Sequence, residues 1–170
     1  NVLGSEQSGH IHAVGFDLYT QLLNEVVGEI KAGRDVEVPA EAEPRGGQAR
    51  VSLDLSAYIP ESYISHLPTR LAIYQRLTRV KDRHEVGDTR EEMRDRFGPI
   101  PQIVDNLLYL VEMKLMAGEA SVDSVVQKGA TVTLTLQDEV GGARLALEKA
   151  LGPLVRVGNT QVHVSVRQTG

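Results

Sequence analysis

The chain has 170 residues, 41% of them hydrophobic and 4% aromatic, so it suits one domain, or one domain with a helical arm, packed chiefly with aliphatic side chains. The absence of cysteine excludes disulfides and thiolate metal sites and fits a reducing, cytoplasmic setting. The net charge of −5 sits entirely in residues 1–48, where eight acids meet three bases, which is the wrong sign for a module built mainly to hold nucleic acid.

No apolar run reaches the eighteen or so residues that a membrane span needs, and no signal peptide opens the chain. Asn1 is not an initiator, and we expect a piece of a longer protein. Residues 1–14 hold Gly4, Ser5, Ser8 and Gly9 without periodicity and read as a loop. His10 and His12, two apart with no further ligand pattern, do not predict a metal site. Phe16, Tyr19, Leu23, Val26 and Ile30 recur at three and four, which predicts an amphipathic helix ending at Ala32-Gly33. Residues 33–48 are rich in Pro, Gly, Glu and Ala and read as a linker. The expected organisation is therefore a loop and helical arm over 1–32, a linker over 33–48, and one domain over 49–170.

Within that domain, Val51, Leu53 and Leu55 alternate with polar residues, which predicts a half-buried strand over Ala49–Leu55. Ile59-Pro60 holds the chain extended. A helix is expected to open at Pro68, with Leu67, Leu71, Tyr74, Leu77 and Val80 as its apolar side. A second is expected from near Asp88 to Phe97, stopped by Gly98 and Pro99. A third, over Pro101–Met116, carries the wide apolar face Val104, Leu107, Leu108, Val111 and Leu115 of a buried spine. After Gly118 the period changes. Strands are predicted over Val122–Val126 and Ala130–Leu136, the latter with Thr131, Thr133 and Thr135 on its exposed side. A helix from Gly141-Gly142 to Leu151 and a hairpin over Val155–Val157 and Gln161–Val166 complete the chain. Helices grouped first and strands later predict an α+β fold, a helical segment followed by a small, mostly antiparallel sheet packed with helices.

Two groups of residues resemble a known family. Tyr58-Ile59-Pro60, then Arg70-Leu71 with Tyr74, Arg76 and Leu77, then Asp95-Arg96-Phe97-Gly98 occur in this order in the C-terminal domain of bacterial transcription-repair coupling factors. Leu3, Gly4, Gln7, Ser8 and Gly9 resemble the end of the translocation motif that this family shares with the branch-migration helicase RecG. The resemblance is close over residues 1–117. It implies a parent that translocates on DNA with ATP and Mg, displaces stalled RNA polymerase and recruits excision repair. It also implies that Gln7, in its flexible loop, relays nucleotide state to the DNA path.

For this piece itself no chemistry is expected. It lacks a phosphate-binding Gly-rich loop with Lys-Ser/Thr, and no nucleophile stands at a recognisable family spacing. We expect no catalysis and no cofactor. Two charge constellations stand out. Arg76, Arg79 and Arg83, read as i, i+3 and i+7 of one helix, could meet phosphates, although the acids around them balance the charge. Glu92 and Asp95 are three apart and share a helix face. The resemblance implies that this domain folds back on a UvrB-like N-terminal module of its parent and hides it from UvrA. An acidic pair suits that basic surface. The expected role is autoinhibitory contact, with nucleic-acid binding through the arginine helix as the alternative and a scaffold for polymerase as a third reading.

Overall fold

The computed structural model describes residues 49–166. The expectations for residues 1–48, namely the loop of Gly4, Gln7, Ser8 and Gly9, the histidines, the amphipathic helix and the linker, lie outside the described residues. The described chain falls into two compact units, one of residues 57–111 and one of residues 49–56 with 112–166.

The first unit opens with Ala57–Pro60, which belongs to neither helix nor strand. Helix α1 then spans Leu67–Arg79, with Pro68 in its first turn, where a missing N–H costs nothing. Ile73, Tyr74 and Leu77 are its buried residues. At Val80 the backbone turns to φ −58°, ψ 141°, which ends the helix. Helix α2 spans Arg83–Phe97 and starts more than a turn before the expected Asp88. The cause is a reciprocal cap, a capping-box variant whose return bond goes to the residue before the N-cap. Asp82 accepts a hydrogen bond from the Glu85 N–H at 2.9 Å, while the Glu85 carboxylate accepts from the Lys81 N–H at 2.9 Å. That pair outweighs Gly87, a helix-weakening residue held inside the second turn. Val86, Thr89 and Met93 form the buried side, and the Thr89 hydroxyl donates to the Glu85 carbonyl at 2.8 Å.

The helix stops at Gly98, as expected. There φ is +90° and the Gly98 N–H donates to the Arg94 carbonyl at 3.0 Å. Few residues other than glycine tolerate that backbone conformation. Helix α3 spans Gln102–Glu119 and begins in this unit. Of the predicted spine Val104, Leu107, Leu108 and Val111 are buried and Leu115 is half-buried, with Leu110 buried beside them.

The second unit is built on one five-stranded sheet, with strands β1 (Arg50–Ser52), β2 (Val122–Lys128), β3 (Thr131–Leu136), β4 (Val155–Val157) and β5 (Gln161–Ser165) in the order β1-β2-β3-β5-β4. β1 is parallel to β2 and every other pairing is antiparallel, so the α+β reading with a mostly antiparallel sheet holds. Between β3 and β4 a 3-10 turn (Gly141–Ala143) leads into helix α4 (Arg144–Leu151).

Register places Val51, Val125, Leu134, Val162 and Val157 in one row, on one face of the sheet. On that face Val155, Val157 and Val162 form a core against which Leu134, Leu136, Val140, Leu147 and Val164 pack. The other face is polar, and the Thr133 hydroxyl lies 3.0 Å from His163 Nδ1 across the strands. Thr131 is exposed there, whereas Thr133 and Thr135 are half-buried between neighbouring strands. Among the described residues no helix is long and apolar enough to cross a membrane.

Candidate functional site

The described residues that repeat a family pattern lie in the first unit, and apart from the exposed Asp95 their side chains serve mainly to hold it together. Tyr74 is buried on α1, and its hydroxyl accepts the Ile59 N–H at 2.7 Å, fixing the Ile-Pro segment. Burial holds the Tyr74 phenol above its ordinary pKa, so it stays a neutral hydroxyl. Arg70 donates to the Ile64 carbonyl at 2.6 Å and the Ser65 carbonyl at 3.1 Å, which ties the loop before α1 to the helix itself. Tyr63 reaches the other end of the pattern. Its hydroxyl donates toward the Gly98 carbonyl at 2.9 Å and lies 3.2 Å from the Met93 carbonyl. Its ring meets Phe97 edge-on, with centroids 6.1 Å apart, and the Arg96 guanidinium lies over the Phe97 ring at 4.9 Å. The pattern is thus a scaffold that sets the end of α2.

Glu92 and Asp95 stand on that helix but differ in surroundings. Glu92 is bridged, one carboxylate oxygen accepting from Arg76 of α1 and the other from Arg96 at 2.9 Å. Hydrogen bonds from Arg76 and then Arg96 hold its carboxyl below the ordinary range. Asp95 is exposed. With 100° per residue, Asp95, Glu91 and Asp88 fall together on the side of α2 opposite Val86, Thr89 and Met93. All three are exposed, and Asp88 pairs with His84 at 3.2 Å. Asp88 was not readable as part of this row while the helix was expected to begin there. The signal that finds it is Asp82-x-x-Glu85, which moves the start of the helix upstream.

The arginine constellation is not one row. α1 ends at Arg79, and Arg83 is the first residue of α2, so the i, i+3, i+7 reading of Arg76, Arg79 and Arg83 is corrected. The break at Val80 and the Asp82 cap separate them. Arg76 is moreover engaged with Glu92. A further bond, Arg90 to Asp105 at 3.1 Å, ties α2 to α3.

What these observations define is an α+β domain whose signature side chains, Asp95 apart, are structural and whose exposed helix face is acidic. Residues 53–143 match the family model of the TRCF domain, and the chain belongs to that family, the transcription-repair coupling factors. It is 32% identical to the transcription-repair-coupling factor of Staphylococcus haemolyticus strain JCSC1435 over 176 residues, covering 99% of this chain and 14% of that protein. With that of Bacillus subtilis strain 168 it shares 35% identity over 139 residues, covering 82% of this chain and 11% of that protein. The chain therefore spans about one seventh or less of the length of these relatives. A crystal structure of the C-terminal domain of a transcription-repair coupling factor has the same fold, with a TM-score of 0.59 and 23% identity, covering 73% of this chain and 83% of that one.

Proposed function

We propose that this domain is an autoinhibitory contact element of a longer coupling factor, an ATP-dependent DNA translocase that displaces stalled RNA polymerase and recruits excision repair. The acidic face of α2 docks on the basic surface of the UvrB-like module in the same parent and keeps UvrA from it. The observation that carries this reading is the row Asp88, Glu91 and Asp95, exposed on the side of α2 turned away from its buried residues. The signature residues around it make the row rigid, because Tyr63, Phe97 and Gly98 fix where the helix ends. Glu92 stands beside the row, and its two arginines leave Asp95 as the fuller charge for a partner. Exposed ion pairs contribute about 0–1 kcal/mol each, so such a contact holds a closed state that a competing partner can open. The domain supplies contact and no reaction of its own, and ATP and Mg belong to the motor of the parent.

The test is UvrA affinity of the full-length parent carrying Glu91→Lys with Asp95→Lys. Neither residue is buried, so the fold should survive. Reversing two contacts worth roughly 1 kcal/mol each should raise UvrA affinity about fivefold to thirtyfold. Unchanged affinity, with folding confirmed by circular dichroism, rejects the acidic face as the lock.

A further inference from the structure

Strand β4 is an edge of the sheet and pairs only with β5. In that antiparallel ladder Arg156 stands opposite His163, the Leu154 carbonyl accepts from the Ser165 N–H at 2.8 Å, and the Gly158 N–H donates to the Gln161 carbonyl at 2.7 Å. Hydrogen-bonded and non-bonded positions alternate along such a strand. The backbone groups of Val155 and Val157 are therefore the ones that turn outward, away from β5. An edge of two β-branched residues with outward N–H and C=O groups is a template for a strand of another molecule.

The chain meets three of these four groups itself. Glu148 Oε2 accepts the Val157 N–H at 2.8 Å, the Gly152 carbonyl accepts the Val155 N–H at 3.2 Å, and Arg156 Nη1 donates to the Val155 carbonyl at 3.2 Å. Glu148 Oε1 also lies 3.7 Å from Arg156 Nη1, so the two side chains that cover the edge hold each other. Helix α4 delivers Glu148 to this place, since Leu147, its neighbour in sequence, packs on the core beneath β4. A side-chain oxygen there does what the carbonyl of a pairing strand would do, so an incoming strand would have to displace it.

We infer that Glu148 guards the β4 edge against addition of β4 from a second copy of this chain. The occupant it excludes is self-complementary, because two Val-Arg-Val strands can pair antiparallel about a two-fold axis.

The experiment compares the 170-residue chain with Glu148→Ala and Glu148→Gln by sedimentation over a wide concentration range, together with hydrogen exchange at the Val157 amide. Glu148→Gln keeps a side-chain oxygen for that amide and should associate like the unmodified chain. Glu148→Ala should raise the dimer association constant at least tenfold. Its Val157 amide should exchange faster than in the unmodified chain when dilute and become protected as concentration rises. An association constant within twofold of the unmodified chain overturns the proposal, whatever the amide does. Should Glu148→Ala lose its cooperative transition, Arg156→Ala takes its place. That side chain is 70% exposed, and its loss uncovers the Val155 carbonyl. A smaller but measurable rise in association supports the guard, and none overturns it.

Discussion

Gly87 and Gly98 lie on the same helix, and the same substitution should have opposite signs at the two. A Cβ at Gly87 would meet nothing within 4 Å, and the residue sits inside the second turn of α2. Glycine there loses more backbone freedom on folding than alanine, so Gly87→Ala should stabilise by about 0.5–1 kcal/mol. A Cβ at Gly98 would also find open space, but φ is +90° and ψ −168°. That region is nearly closed to side-chain-bearing residues, and Gly98→Ala should cost about 1–3 kcal/mol. Denaturant unfolding of the two variants checks the pair. Equal effects would mean that strain at the end of α2 is relieved by movement of the following Pro99.

Between elements, the arginine clasp on Glu92 joins α1 to α2 and should show in the pH dependence of stability. Its carboxyl is held below its ordinary pKa, by Arg76 first and Arg96 second. A depressed folded value means that the folded state favours the charged form. The stabilisation is therefore complete above the unfolded pKa and is lost as the pH falls through the folded one. With 41% of the side chain exposed, solvent screening limits the effect to about 0–1 kcal/mol. Glu92→Gln should lower stability by that amount at neutral pH, and the difference should fade as the pH drops through the depressed folded pKa of Glu92. A difference that stays constant through the acid range would assign it to packing. These helices also show which features could be read from the sequence alone. Gly98-Pro99, Pro68 and the Val104–Val111 stripe were legible because each acts through its own backbone or periodicity. The start of α2 was not, because Gly87 hid a reciprocal cap that needs Asp82 and Glu85 to be read together. That error placed Arg83 on the wrong helix and took Asp88 out of the acidic row. The clasp on Glu92 was equally closed to sequence reading, since it depends on two helices meeting side by side.

For the molecule as a whole, the sheet unit is discontinuous in sequence, and β1 reaches β2 only after the chain has left and returned through residues 57–111. Its parallel pairing could not be inferred from an isolated alternating run, because a lone strand signal carries no direction or partner. The position of β1 gives the boundary proposed at residue 48 a sharp test. Removing residues 1–48 keeps Ala49, which is 3% exposed, and all of β1. That chain should unfold in one cooperative transition. Removing residues 1–53 also deletes Val51 and Leu53, buried to 6% and 8% exposure, and opens the flank of β2 along Ser124–Val126. Burying a Val or Leu side chain contributes about 1.5–3 kcal/mol, so this further cut should cost roughly 3–6 kcal/mol. A domain of ordinary stability has about 5–15 kcal/mol in all, and the longer deletion should lower the melting temperature steeply or leave the sheet unit unfolded. Calorimetry on the two truncations distinguishes the outcomes. If they melt alike, β1 stands outside the cooperative structure; if the shorter deletion already loses its transition, the boundary at residue 48 is wrong.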